Sequence, residues 1–274
     1  MRTLTGKHAV ITGGAGGIGF ATARALLDEG CSVSLWDADG NALARAAETL
    51  RTHGMHTVTV DITDPRGVAE ARQESEERLG PVDVLVNSAG YVDGGRFDAK
   101  KLEEAHREVD INVNGLINTT HAVLPQMLER NRGHIVNVAS AAATLGVAGL
   151  SVYAATKWAV WGFTESLRHE AWKAGTRGVR FSTVHPNFVA RGMFAGAGIP
   201  RLGGVLVPVL EDHGIVAHAI VERALKRGRH SVKVPRSVQL AVILRALLPD
   251  GLFQRVVRSL GIHLSMDSWV GHER

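Results

Sequence analysis

Near its start the chain runs through an order of elements that leaves few folds open. A short apolar run, Lys7-His8-Ala9-Val10-Ile11, leads into Thr12-Gly13-Gly14-Ala15-Gly16-Gly17-Ile18-Gly19, and a helical pattern follows from Phe20 to Glu29. Glycines at such a junction permit a tight turn, bring backbone N–H groups close to a ligand, and set an anion at the positive end of the helix. The element is a phosphate cradle. Its frame stays open at this level, because Gly14, Gly16 and Gly19 satisfy G-x-G-x-x-G while Gly13, Gly17 and Gly19 satisfy T-G-x-x-x-G-x-G.

The next apolar run, Ser32 to Trp36, ends at Asp37, where a dinucleotide-binding sheet places the carboxylate that holds the adenosine ribose. A carboxylate there accepts hydrogen bonds from both ribose hydroxyls and repels the extra phosphate of the phosphorylated cofactor. No Arg or Lys lies between Thr12 and Ile18 or from Cys31 to Ala44 to offset that repulsion. The expected cofactor is therefore NAD, with NADP disfavoured.

Short apolar runs alternate with longer helical patterns along the chain, which predicts β-α-β units and a parallel sheet. Strands are expected at 7–12, 32–36, 56–60, 82–86, 133–139, 178–184 and 231–234. Helices are expected at 17–29, 40–53, 64–79, 98–130 with a break, 151–174 and 212–227. The strands are rich in Val and Ile with little alternation, as expected when helices cover both faces. The predicted architecture is a Rossmann-type doubly wound, seven-stranded parallel sheet. Residues 1–234 form one catalytic domain, and 235–274 a helical C-terminal extension packed on it or on a partner subunit.

Tyr153-Ala154-Ala155-Thr156-Lys157 places a phenol and an ammonium one helical turn apart on one face. A free phenol, with a pKa of about 10, is a poor base near neutrality, and a neighbouring cation is expected to lower it toward working pH. Such a group suits proton exchange with an alcohol. Ser140 closes the strand at 133–139, and no G-x-S-x-G elbow surrounds it, which argues against a hydrolase.

Taken in order, the loop at 12–19, Asp61, Asn87-Ser88-Ala89-Gly90, Asn112, Ser140 and Tyr153-x-x-x-Lys157 resemble the motifs of the short-chain dehydrogenase/reductase family, in its classical branch, over most of residues 5–235. The resemblance implies hydride transfer between a nicotinamide cofactor and a secondary alcohol or ketone. Tyr153 would move the proton and Ser140 would hold the substrate oxygen. Lys157 would bind the nicotinamide ribose and lower the tyrosine pKa, and Asn112 would bind a water leading to Lys157, with Asn114 a rival for that role. Cofactor contacts are implied at Gly13, Gly16, Gly17, Ile18, Gly19, Asp37, Asp61, Ile62, Asn87, Ala89, Gly90, Tyr153, Lys157, Pro186 and Val189. Two positions depart from the family pattern. Asn187 follows Pro186 where glycine is usual, and Arg191 stands where threonine is usual, free either to reach the pyrophosphate or to face water.

The apolar, glycine-rich segment 192–210 suits a lid over a bulky hydrophobic alcohol or ketone. Within 235–260, arginines interrupt two apolar helical stretches, and packing over the active site or on another subunit is expected ahead of contact with a membrane surface. Trp158, Trp161, Phe163 and Trp172 crowd the helix carrying Tyr153, which in this family packs against its copy, so a homodimer or homotetramer is expected. Basic residues are scattered among acidic ones, which excludes a nucleic-acid stripe. The thirteen histidines are dispersed with no H-E-x-x-H spacing, so no metal is expected. A lone cysteine and no apolar leader point to the cytoplasm. Alternatives are a 3-oxoacyl thioester reductase, which Asp37 disfavours because it would draw on NADP, and a non-catalytic dinucleotide-binding regulator.

Overall fold

The computed structural model describes residues 3–51 and 54–269. Among these, seven strands form one parallel sheet: β1 (His8–Thr12), β2 (Ser32–Asp37), β3 (Met55–Thr59), β4 (Val82–Asn87), β5 (Gly133–Val138), β6 (Val179–Pro186) and β7 (Ser231–Val234). Their order is β3-β2-β1-β4-β5-β6-β7. Every strand forecast from the sequence is present, with β6 running two residues further because Val184 to Pro186 pair with Val232 to Val234.

Successive strand residues feed opposite cores, which explains the unbroken apolar runs. Ala9 and Ile11 of β1 and Val33 and Leu35 of β2 join one cluster with α1 (Gly17–Asp28), α2 (Gly40–Leu50) and α8 (His213–His218). Val10 and Trp36 join the other, with α3 (Pro65–Leu79), α5 (Leu116–Glu129) and α6 (Ser151–Lys173). Helix starts follow local chemistry: Asp39 accepts from Ala42 N to cap α2, and Asp64 caps α3 ahead of Pro65. The expected second helix stops at Leu50; residues 52 and 53 at its forecast end lie outside the described residues, as do 270–274 of the extension.

The forecast helix at 98–130 is shorter and built differently. α4 (Leu102–Val109) passes into α5 through a wider π-type turn, Asp110–Gly115, and this is the expected break. Such turns re-aim side chains where function needs it, and here the residue re-aimed is Asn112. A second π-type stretch, Ala219–Lys226, continues α8.

Beyond β7 lie α9 (Val238–Leu247) and α10 (Asp250–Ser259). Phe253 and Val257 of α10 pack with Leu145, while Ala241 and Leu244 of α9 join the same cluster. The extension therefore rests on its own domain. The segment forecast as a lid also contains a short helix not foreseen in its glycine-rich sequence, α7 (Arg201–Leu206), and is tied back where Leu210 N donates to Phe188 O.

Candidate active site

The strand order reverses between β1 and β4, where open α/β sheets bind ligands beyond the carboxyl ends of their strands. Thr12 Oγ1 joins the two ends there, accepting from Ser88 N and Ala89 N at 3.1 Å each. The cleft above has a volume of about 880 Å³. Its walls include Gly13, Gly16, Gly17, Ile18, Asp37, Asp61, Ile62, Ala89, Gly90 and Val189, ten of the positions named for the cofactor.

Contacts within the loop settle the glycine frame. A Cβ on Gly19 would fall 2.1 Å from Gly13 O, and one on Gly13, whose φ is +63°, would fall 2.8 Å from Ala89 Cα. Gly16 meets nothing within 4 Å and faces the cleft. Gly14 is tight as well, a Cβ there falling 3.0 Å from Ile11 O, but the positive φ of Gly13 and Gly17 (+52°) and the open space at Gly16 favour the T-G-x-x-x-G-x-G reading. The loop is a cradle that any side chain would fill, and it fits a pyrophosphate at the start of α1. Asp37 at the end of β2 accepts from Ala15 N at 3.1 Å, which ties the carboxylate to the loop. Asp61 accepts from Thr63 N and Oγ1 and shapes the turn after β3.

Not every expected contact reaches this cleft. Asn87 is buried, its amide spent on Thr119, Thr120 and Asn137. It braces β4 against β5 and α5, and the ligand wall is made by the backbone after it. Gly19 acts through packing, and neither it nor Pro186 lines the cleft.

The catalytic candidates converge on one place. Ser140, two residues past β5, stands beside Tyr153, where its hydroxyl lowers the phenol's pKa. Lys157 Nζ lies 5.5 Å from the Tyr153 ring centre and donates to Val138 O at 3.1 Å. Gly90 closes the group: a Cβ there would sit 3.3 Å from Asn112 Oδ1 and 3.5 Å from Lys157 Nζ. Asn112 is 1 % exposed and clasps the backbone of Tyr91, accepting from its N and donating to its O at 2.8 Å each, with a further bond to Thr156 Oγ1. Its side chain is therefore a brace between loop and helix. Asn114 faces solvent, bonded to Asp110.

The electrostatics reverse one expectation. Burial pushes the Tyr153 phenol well above its ordinary pKa; the Ser140 hydroxyl pulls it down, and Glu108 pushes it up again. Lys157 is not among the groups that set the phenol's pKa, and dehydration dominates it. Phe194 meets the Tyr153 ring edge-on at 5.4 Å and also packs on Phe188. Burial likewise pushes Lys157 down to about 8, against the pull of Glu108.

Behind Ser140 lies a second, small cavity of about 50 Å³. The lid contributes Ile199 and Val207 to it, and the extension contributes Val238, Ala241 and Ile262. Asn187, in place of the usual glycine, donates to Val207 O and Pro208 O and fastens the lid. From the far end Trp269 Nε1 donates to Met193 O. His185 is buried, with Nδ1 3.3 Å from Ser140 O.

Sequence reasoning missed His213. Its ring lies 3.6 Å from where a Cβ on Gly17 or on Gly192 would sit, and it lines the cleft with Arg191. Burial lowers its pKa, Asp212 raises it and Arg191 lowers it. The sequence around it announces only a helix start, since Asp212 caps α8. Buried Glu108, ion-paired with Lys100 at 3.1 Å, was equally silent.

Comparison with known proteins agrees with this geometry. The family model described as short chain dehydrogenase matches residues 7–198. Estradiol 17-beta-dehydrogenase 11 of Mus musculus is 31 % identical over 99 % of this chain and 89 % of its own length. Epidermal retinol dehydrogenase 2 of Homo sapiens is 30 % identical over 100 % of this chain and 88 % of its own. A short-chain dehydrogenase/reductase from Burkholderia phymatum, solved in complex with NAD, superposes with a TM-score of 0.79 at 29 % identity, covering 90 % of this chain and 95 % of that one. With its glycine loop at the sheet's switch point and serine, tyrosine and lysine gathered beside it, the chain belongs to the short-chain dehydrogenase/reductase family and is an oxidoreductase of alcohols and ketones that works with a nicotinamide dinucleotide.

Proposed function

We propose that the chain is a cytoplasmic, NAD-dependent oxidoreductase that interconverts a bulky hydrophobic secondary alcohol and its ketone. The observation that carries this reading is the position of Ser140, on the wall of the apolar cavity between segment 192–210 and the extension and close enough to the Tyr153 phenol to act on its pKa. At about 50 Å³ the cavity is smaller than such a substrate, so its aliphatic walls mark the apolar side of the site and must part to admit the substrate's body. The bound dinucleotide supplies the hydride acceptor, or the donor in the reverse direction.

The protein's own residues supply the rest. Ser140 orients the substrate oxygen and shares the charge that develops on it. Tyr153 carries the proton to or from that oxygen. Lys157, behind Gly90 of the cleft wall, would hold the cofactor's ribose hydroxyls. Asp37 favours NAD over NADP by charge, while Arg191 and His213 line the same cleft, His213 beside Gly17, where they would meet the pyrophosphate. Dimerisation through the outer face of α6, where Trp172 is 68 % exposed, belongs to the same proposal.

The test is Tyr153→Phe, assayed for NADH formation over secondary alcohols of increasing bulk, with NADH binding followed by fluorescence. Turnover is expected to be lost while binding stays close to wild type. Retained turnover would place the proton-transfer group elsewhere.

A further inference from the structure

One face of the helical extension takes no part in the site. α9 turns Val238 and Ala241 toward the cavity behind Ser140, and Leu244 and Leu248 toward the α10 core. Its opposite face carries Gln239, Leu240, Ile243, Ala246 and Leu247, all exposed and none charged. Leu240 is 47 %, Ile243 46 % and Leu247 74 % exposed, and Leu252 in the first turn of α10 is 46 % exposed. A surface helix normally sets charge on the side that meets water. Here the charge lies at the margins: Arg236 stands one turn before Leu240, and Arg255 and Arg258 follow Leu252, all three exposed. Asp250 is the only acidic residue from 236 to 259.

We propose that this face docks the protein on the interfacial layer of an anionic lipid membrane, aliphatic side chains at the acyl boundary and arginines at the phosphates. An aliphatic face rimmed by arginine is what such a surface binds, through buried apolar area and attraction to anionic headgroups. A second copy suits the face less well. A two-fold contact would bring the arginine rims of both copies together. A ten-residue helix, about 15 Å long, also offers far less than the roughly 800 Å² per partner of a stable dimer. Among the described residues no helix is long and apolar enough to cross a membrane, so the contact is peripheral. The docking does not depend on the catalytic reading. Where both hold, the two sides of α9 set the cavity for a hydrophobic substrate against the phase in which such a substrate dissolves.

The experiment sediments the full chain with extruded vesicles of phosphatidylcholine, with and without phosphatidylglycerol, at low and high salt. Binding to the anionic vesicles, weakened by salt, is expected. The combined variant Leu240→Ser, Ile243→Ser, Leu247→Ser should lower the partition coefficient at least about tenfold, in line with the apolar area withdrawn. A separate variant, Arg236→Glu with Arg255→Glu, should lose the preference for phosphatidylglycerol. NADH binding and the circular dichroism melt should match wild type in both, which separates lost docking from misfolding. The proposal is overturned if wild type stays in the supernatant, if the serine variant binds as wild type does, or if light scattering shows a wild-type dimer that the serine variant loses, which would assign the face to a second copy.

Discussion

Lys157→Met keeps the length of the side chain and removes its charge. Lys157 is 5 % exposed, and burial pushes its pKa from 10.5 down to about 8. Each tenfold change in proton affinity is worth about 1.4 kcal/mol, so holding the cation costs on the order of 3 kcal/mol of folding stability near neutrality. The variant also loses the 3.1 Å bond from Nζ to Val138 O, worth about 1 kcal/mol. A net gain of about 1–2 kcal/mol is expected at about pH 7, together with loss of turnover, because activity here is kept at the expense of stability. The folded state binds fewer protons than the unfolded state between the two pKa values, so the penalty is complete below about pH 8 and fades as pH rises toward 10.5. The variant's advantage should therefore shrink by about pH 10. Urea unfolding of both proteins at the two pH values, followed by tryptophan fluorescence, measures it. A variant less stable than wild type near neutrality, or an advantage that does not change with pH, would refute the assignment of Lys157 as a strained buried cation.

Three other outcomes follow from the geometry. Asp37→Ala should weaken NAD and improve relative use of NADP, read as the ratio of kcat/KM for the two cofactors, and an unchanged ratio would remove the charge argument. His213→Gln should flatten the pH dependence of NADH binding: in wild type a bound pyrophosphate raises the lowered histidine pKa, so affinity strengthens as the pH falls and the ring takes up its proton, and equal profiles for both proteins would show that His213 does not meet the phosphates. Phe194→Ala removes edge contacts to Tyr153 and Phe188 worth about 0.5–1.5 kcal/mol each and admits water to the phenol. Its pKa should drop, and the acid limb of kcat/KM for alcohol oxidation should move to lower pH; an unmoved limb would mean that Phe194 does not seal the site.

Much of the site was legible because it is written in local, short-range terms. A glycine that must accept positive φ, a carboxylate at a strand end, and a tyrosine one turn from a lysine are constraints carried by neighbours in the chain. Burial was harder to read. Asn87 and Asn112 look like ligand contacts in sequence, yet their amides are consumed by Thr119, Asn137 and Tyr91, partners brought near only by the folded sheet. The lowered phenol pKa expected from Lys157 is not seen for the same reason, since burial by the folded chain dominates at Tyr153.

By itself the sequence determined the sheet, the cradle at its switch point and the residue types that exchange a proton with an alcohol, because hydrophobic periodicity and backbone sterics act over a few residues. Tertiary structure alone decided which glycine frame carries the turn, that His213 closes the phosphate wall, and that α9 has one face for the substrate cavity and another bare to solvent. Those features depend on distances between segments far apart in the chain, and no local pattern encodes them.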